Sequence, residues 1–304
     1  MAKVQVDWHG SFAVNITTFG ADGEIDDAGC RQVFSDTIEA GTHGVIAAGS
    51  TGEFFLMSDA ERARVFALAV EAADGRVPVL GCPAATRTED VLQHTKAAEA
   101  AGCDGVMVLP PIYVGLDDNE VVEFYTRVAD ASALPVMLYN SPFMVKTALS
   151  PELVHRLSEH DNIVAIKDSA FDIRQSSDVM RFCGDAMKMF IGVEDMYLPA
   201  LSIGAVGAVA MAPQIVGRPA PEIYDAFIAG DLERARRCHY LVARVYDILF
   251  KLGSMYVGVK EAMNMLGKPG GHMRAPMLPF TEAQRAQVRA ILEETGLMPA
   301  RAAE

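Results

Sequence analysis

The sequence lacks any apolar run that approaches the roughly 18 residues required to cross a membrane. Its first ten residues, MAKVQVDWHG, also lack the apolar segment of a secretory signal peptide. Basic residues are scarce, since 26 Lys and Arg stand against 40 Asp and Glu and give a formal net charge of −14. We therefore expect a cytoplasmic protein that binds neither nucleic acid nor an anionic membrane surface.

Cysteine pairs and metal-binding motifs are also missing. The five cysteines form no C-x-x-C pair, and their odd number favours reduced thiols over a disulfide framework. The seven histidines are scattered without the spacing of a metal site, so we expect no metal ion. No G-x-x-x-x-G-K-[ST] loop for phosphate is present, and no G-x-G-x-x-G motif follows the first apolar run.

Short apolar runs that are typical of buried strands recur along the first two thirds of the chain. They alternate with helix-patterned stretches such as residues 58–75 and 88–102, in which Ser58 and Thr88 are expected as helix caps. The apolar runs occupy residues 12–19, 44–49, 77–83, 105–110, 134–140, 162–168, 187–192 and 205–212. Eight strands alternating with helices predict a TIM (β/α)8 barrel rather than a doubly wound open sheet, whose dinucleotide motif is absent.

From about residue 220 the pattern becomes helical throughout. We therefore predict that residues 1–220 form the barrel with the active site, and that residues 221–304 form a C-terminal helical extension packed on it. In a TIM barrel the active site lies at the C-terminal ends of the strands. The polar residues that end the apolar runs are therefore the candidates for chemistry.

The apolar run in NIVAIKDSA, residues 162–170, ends in a lysine, although an ammonium group is costly to bury. Taken alone, Lys167 beside Asp168 could be a partly exposed charge. At the mouth of a barrel, desolvation disfavours the ammonium form, and a neutral amine can attack a carbonyl to form a Schiff base. The protonated imine withdraws electrons from the neighbouring carbon, so carbon–carbon bonds beside a ketone can form and break.

Other strand-end residues admit both a structural and a functional interpretation. The segment GSTGE, residues 49–53, could be a tight turn or could bind an anion through hydroxyls and backbone N–H groups. Tyr139 could be a buried tyrosine with a local hydrogen bond, or it could pass protons beside Lys167. Glu194 and Asp195 could form a solvated acidic corner or hold substrate hydroxyls.

Several segments resemble the dihydrodipicolinate synthase and N-acetylneuraminate lyase family along almost the whole chain, in both order and spacing. They are GSTGE (49–53), PPIY (110–113), YNSP (139–142), IVAIKDS (163–169), IGVED (191–195), VKEAMNMLG (259–267) and RAPMLP (274–279). The resemblance implies a TIM barrel with C-terminal helices that assembles as a homotetramer or a dimer. It also implies a class I lyase that needs no metal or organic cofactor, because the lysine imine itself accepts the electrons.

The resemblance assigns a role to each matching position. Lys167 would form the Schiff base with pyruvate or another 2-oxo acid, and Tyr139 would shuttle protons. Ser50 and Thr51 would bind the substrate carboxylate. Ser50 would also link Tyr139 to Tyr113, which in this family reaches into the site of the neighbouring subunit.

The segment IGVED supplies the remaining substrate contacts that the resemblance implies. Glu194 and Asp195 fall where lyases of the family contact substrate hydroxyls. Gly192, in the same segment, is assigned to the substrate-binding site with them.

Three positions would make the substrate-specific half of the pocket apolar. Met144 stands where dihydrodipicolinate synthases of the family have an arginine for the second carboxylate, Phe171 replaces a usual glycine, and Met211 ends the eighth strand. Lys146 lies near Met144 in sequence, but a lysine is not a bidentate clamp. We therefore do not expect a true dihydrodipicolinate synthase.

The sequence thus predicts a Schiff-base lyase that cleaves or forms a 2-oxo acid, with pyruvate and an aldehyde as the two fragments. A 2-oxo acid dehydratase or deaminase using the same imine is an alternative. A hydratase-aldolase with an aromatic substrate is another, which Met144, Phe171 and Met211 favour. A non-catalytic ligand-binding relative is disfavoured, because folding alone gives no reason to keep Lys167 at a desolvated strand end.

Overall fold

The computed structural model describes residues 3–299, in which eight parallel strands close into a barrel. The strands in this range are β1 (Gly10–Val14), β2 (Gly44–Ala47), β3 (Val79–Gly81), β4 (Gly105–Val108), β5 (Val136–Asn140), β6 (Ile163–Asp168), β7 (Lys188–Ile191) and β8 (Gly207–Ala210). Each strand pairs with its neighbours in sequence, and β1 pairs with β8 to close the barrel. The predicted TIM barrel is therefore confirmed.

Helices connect successive strands and continue beyond the last one. Those within residues 3–299 are α1 (Asp27–Glu39), α2 (Asp59–Ala73), α3 (Thr88–Ala101), α4 (Asp118–Ala131), α5 (Pro151–Ser158), α6 (Ile173–Cys183), α7 (Tyr197–Ser202), α8 (Pro213–Val216), α9 (Pro219–Ile228), α10 (Leu232–Phe250), α11 (Met255–Met265) and α12 (Glu282–Glu294). Short 3₁₀ helices lie at Phe54–Leu56, Gly184–Ala186 and Glu194–Met196. None of the helices in the described range is long and apolar enough to cross a membrane.

Polar residues fix the starts of several helices, although not every predicted cap is used. The Ser58 hydroxyl accepts from the N–H of Glu61, whose carboxylate accepts from the Ser58 N–H, so α2 begins with a capping box. The predicted cap at Thr88 is wrong. Thr88 is the first residue of α3, and Arg87 precedes it without a capping side chain.

The first strand ends five residues before the end of the apolar run, residues 12–19, from which it was predicted. The side chain of Gln214 accepts from the N–H of Ile16 at 2.7 Å and donates to the carbonyl of Val14 at 3.0 Å. A distant side chain therefore satisfies backbone groups that a longer strand would have paired. Because of this contact, β1 stops at Val14 at the C-terminal rim of the barrel.

Apolar side chains fill the barrel interior beneath this rim. Phe12 of β1 and Phe190 of β7 are fully buried, and their ring centroids lie 5.1 Å apart although β8 separates the two strands. Phe12 lies two residues before Val14, and Phe190 lies two residues before Gly192. Val14 and Gly192 line the cavity around Lys167. Because side chains in a strand alternate between two faces, the two phenylalanines form the floor under that cavity.

The C-terminal helices pack on the barrel and on one another. α9 packs on β1, and α10 packs on α9 and α11. The predicted boundary at residue 220 falls inside α9, so this helix belongs to both parts. The division into a barrel and an extension stays a prediction.

Candidate active site

Lys167 and Tyr139 lie on neighbouring strands at the C-terminal mouth of the barrel. They are paired in register across β5 and β6, and each residue is only 5% exposed. The Nζ of Lys167 lies 3.9 Å from the centroid of the Tyr139 ring. The structure therefore brings the predicted amine and the predicted proton carrier together in a largely desolvated place.

Asp168 follows Lys167 in sequence but points to the other face of β6. Its carboxylate accepts from the Nδ2 of Asn140 at 2.9 Å and from the Oγ of Ser176 at 2.7 Å. Burial raises the pKa of Asp168, and these hydrogen bonds oppose the shift. The Asp168 carboxylate thus fastens α6 to the barrel and does not face the amine of Lys167.

Gly192 leaves the space in which the lysine side chain lies. A Cβ atom at Gly192 would lie 2.0 Å from the Oγ of Ser169 and 2.8 Å from the Cε of Lys167. The Gly192 N–H donates to the carbonyl of Asp168 at 2.7 Å, which holds the backbones close together. Any side chain at this position would therefore displace Lys167 or Ser169.

The loop after β2 places two hydroxyl residues beside the amine. Ser50 and Thr51 are both buried, and both line the same cavity as Lys167. Within the described residues, the Oγ of Ser50 has no hydrogen-bond partner. A buried hydroxyl without a partner costs free energy, so this side chain is available to a ligand.

A buried ion pair anchors this loop to the C-terminal extension. Glu53, with a positive φ of 61°, ends the loop, and its Oε1 lies 2.5 Å from the Nζ of Lys260 on α11. Lys260 also donates to the carbonyl of His272 at 3.0 Å and lies over the Phe19 ring. Burial raises the pKa of Glu53 and lowers the pKa of Lys260, and the charge of each partner opposes the shift.

The cavity around Lys167 has a volume of about 40 Å³, which is room for about three water molecules. Eight of its lining residues are sequence-predicted site residues, namely Ser50, Thr51, Tyr139, Met144, Lys167, Phe171, Gly192 and Met211. The sequence analysis missed eight others, namely Val14, Ser141, Phe143, Ser169, Val209, Tyr246, Phe250 and Met255. Ser141 and Ser169 directly follow strand ends, which is a usable signal. Tyr246, Phe250 and Met255 come from α10 and α11, and no local pattern marks them.

Glu194 lies behind the cavity wall instead of in it. Its carboxylate accepts from the backbone N–H groups of Met211 and Ala212, so it holds the turn between β8 and α8. Burial raises the pKa of Glu194 to about 7, while these N–H groups and the nearby charge of Lys167 oppose the shift. Asp195 is exposed and lies near His239. Burial lowers the pKa of the His239 imidazole, and the charge of Asp195 opposes this shift.

Tyr113 also lies apart from the cavity of its own chain. It is 80% exposed, has a φ of 86°, and its ring centroid lies 5.5 Å from the Nζ of Lys146. The link from Ser50 through Tyr139 to Tyr113 is therefore not formed within the described single chain.

A family model described as the dihydrodipicolinate synthetase family matches residues 7–295. An uncharacterized DapA-like lyase from Rhizobium meliloti is 35% identical over 296 residues, which cover 97% of this chain and 98% of the relative. A 4-hydroxy-tetrahydrodipicolinate synthase from Geobacter sp. strain M21 is 34% identical over 291 residues, which cover 96% and 100%. The structure of the E. coli K12 prophage protein YagE in complex with pyruvate has a TM-score of 0.93 at 28% identity, covering 96% of this chain and 100% of YagE.

A closed (β/α)8 barrel with a buried lysine at a strand end has the amine that a lyase of the class I aldolase type requires. The family match and the relatives agree with this class. The chain belongs to the dihydrodipicolinate synthetase family, and it is an enzyme of that lyase class.

We expect Lys260→Met to lower the free energy of unfolding by about 3–5 kcal/mol, because it leaves the Glu53 carboxylate buried without a partner. The double variant Lys260→Met with Glu53→Gln should lose much less free energy of unfolding, since no charge is then left unpaired. Guanidinium unfolding measures both values. Lys251→Met is the matched control, because Lys251 is exposed and the loss of its ion pair with the half-buried Asp247 should cost less than about 1 kcal/mol. Equal losses for the single and the double variant would contradict the role of the ion pair.

Glu194 should make the protein less stable as the pH rises. Its pKa is about 7 in the folded protein against 4.5 without burial, so the folded state binds the proton more tightly. As the pH rises from 4.5 to 7, the free energy of unfolding should fall by about 3 kcal/mol on account of this group. Urea unfolding at pH 5 and pH 8 should show this fall in the wild type relative to Glu194→Gln. If the difference in free energy of unfolding between wild type and Glu194→Gln does not change with pH, the raised pKa of Glu194 is refuted.

Proposed function

We propose that Lys167 forms a Schiff base with the ketone of a 2-oxo acid and that the enzyme cleaves or forms the bond between C3 and C4. The observation that carries this proposal is the burial of the Lys167 amine over the Tyr139 ring, beside the unpartnered hydroxyl of Ser50. A pyruvate complex of the structural relative YagE supports pyruvate as the fragment that stays on the lysine.

The steps follow from the groups that line the cavity. The amine of Lys167 attacks C2, and water leaves to give the imine. Tyr139 relays the proton of the C4 hydroxyl, which is later returned at C3, the C3–C4 bond breaks, and an aldehyde leaves. The electron pair moves onto C3 and the imine nitrogen as an enamine, which is protonated at C3 and hydrolysed to pyruvate and the free amine. In this scheme Ser50 and Thr51 hold the carboxylate on C1 through their hydroxyls and backbone N–H groups.

The second fragment is proposed to lack a carboxylate, which distinguishes this enzyme from a true dihydrodipicolinate synthase. Met144 lines the cavity where that reaction would need a cation, and Lys146 is directed towards the Tyr113 ring. Among the described residues that line this cavity, none is an arginine. A buried carboxylate without a charged or hydrogen-bonding partner would be unfavourable there.

Borohydride reduction in the presence of pyruvate tests the proposed imine. We expect a stable pyruvate adduct on the peptide that contains Lys167, detected by mass spectrometry, and none in Lys167→Ala. Tyr139→Phe should still form the adduct but should lower kcat for aldol cleavage by about 10²–10⁴, because a proton carrier is lost.

The matching control is Lys146→Ala, which removes a nearby lysine outside the cavity lining and should leave the adduct unchanged. A folded wild-type protein that gives no adduct would overturn the proposal for pyruvate. If a larger 2-oxo acid were trapped and consumed without releasing pyruvate, the reaction would be dehydration or deamination on the same imine.

We propose further that the enzyme acts as a homo-oligomer in which Tyr113 enters the site of a neighbouring copy. The support is the exposure of this tyrosine, which the cavity of its own chain does not use. A structural relative at 25% identity is described as the first monomeric dihydrodipicolinate synthase variant, a description that marks a monomer as the exception.

Complementation between two impaired variants tests this arrangement. Tyr113→Ala and Lys167→Ala should each have little activity alone. Reassembled together, they should regain activity, because a Lys167→Ala subunit can supply Tyr113 to a site that keeps its lysine. Sedimentation would verify the mixed oligomer. A fully active monomer, or a mixed oligomer without regained activity, would contradict the role of Tyr113.

A further inference from the structure

Three phenylalanine rings cluster at the mouth of the cavity. Phe143 follows β5, Phe171 follows β6, and Phe250 ends α10. Their ring centroids lie 6.1 Å apart for Phe143 and Phe171, 5.7 Å for Phe171 and Phe250, and 6.5 Å for Phe143 and Phe250. The rings are tilted or edge-on to one another, which is the geometry of favourable aromatic contacts.

Burial in the folded chain does not account for this cluster. Phe143 is 67% exposed and Phe171 is 41% exposed. Phe171 also has a φ of 57°, a conformation that favours glycine over a bulky residue. Large apolar side chains that stay exposed in a strained place are typical of a binding site.

A second cavity of about 230 Å³ opens beside the one around Lys167. The two cavities share Phe143, Met144, Phe250 and Met255 as walls. An apolar cavity of roughly 150 Å³ is large enough to bind benzene, so the second cavity has room for an aromatic ring.

The charge of the walls restricts what this second cavity can bind. Among the residues described as lining the two cavities, Lys167 is the only one with a charged side chain. In the proposed reaction that amine is bonded to the ketone carbon of the substrate. A carboxylate or a phosphate on the other end of the substrate would thus have no cation to pair with.

We propose that the second cavity holds an uncharged aryl group on C4 of the 2-oxo acid, so that the aldehyde fragment is aromatic. This inference rests on the Schiff-base function proposed above and names the substrate class of the same site. With 4-hydroxy-2-oxo-4-phenylbutanoate as the probe, the C4 hydroxyl loses its proton and the C3–C4 bond breaks. Benzaldehyde leaves, and the enamine on Lys167 is protonated and hydrolysed to pyruvate.

The test compares three substrates that differ only in the group on C4. These are 4-hydroxy-2-oxo-4-phenylbutanoate, the methyl compound 4-hydroxy-2-oxopentanoate and the carboxylate compound 4-hydroxy-2-oxoglutarate. We expect kcat/KM for the phenyl compound to exceed the other two values by about tenfold or more, because only the phenyl group fills the apolar walls. Pyruvate release measures all three rates.

Variants of the cluster locate the preference. Phe143→Ala and Phe250→Leu should each lower kcat/KM for the phenyl compound by about 2- to 10-fold, and should lower it more than for the methyl compound. Tyr240→Ala is the control, because Tyr240 is an exposed aromatic residue on the same helix α10 and lies outside both linings. It should change none of the three rates. Circular dichroism verifies that each variant is folded.

The outcomes separate this inference from the function on which it rests. If pyruvate is trapped on Lys167 but the phenyl compound is cleaved no faster than the methyl or carboxylate compound, the aryl site is refuted and the Schiff-base function stands. Losses in Phe143→Ala that are equal for phenyl and methyl compounds also refute it. If pyruvate is not trapped and none of the three compounds is cleaved, the proposed function fails and the aryl site fails with it.

Discussion

The ion pair between Glu53 and Lys260 joins the two parts of the molecule on which the site depends. Glu53 ends the loop that presents Ser50 and Thr51, whereas Lys260 lies on α11 in the C-terminal helices. Both charges are almost completely removed from water, so either one alone would be strongly unfavourable. Each charge is therefore tolerated in this place only while the other is present.

This constraint explains how the C-terminal helices come to line the candidate site. With α11 fixed beside the loop, Met255 at its start and Phe250 at the end of α10 come to lie over the barrel mouth. The ring of Phe19 strengthens the junction, because Lys260 and Arg274 both lie over it, 4.5 and 4.0 Å from its centroid. A barrel without these helices would keep Lys167 but would lose one wall of the cavity.

The sequence predicts those parts of the fold and site that depend on local pattern and barrel closure. Lys167 and Tyr139 are found because strand ends of a closed parallel barrel meet at one rim. The early end of β1 is not found, because the side chain that causes it, Gln214, lies far away in sequence. Phe250 is missed for a related reason, since helix periodicity does not show which turn will fold over the mouth. Glu194 is placed at the correct strand end, but its pattern does not reveal that backbone N–H groups occupy its carboxylate.

The proposed chemistry and the proposed selectivity depend on different parts of the structure. The amine of Lys167 and the ring of Tyr139 lie on strands whose positions are fixed by hydrogen bonds on both sides. The phenylalanines Phe143 and Phe171 lie on loops, and their side chains are not packed into the core. In the proposed aryl site, replacing Phe143 would therefore change what the second cavity accepts without displacing the amine. The proposed imine chemistry therefore depends on residues of the strands, whereas the proposed choice of aldehyde depends on loop residues such as Phe143.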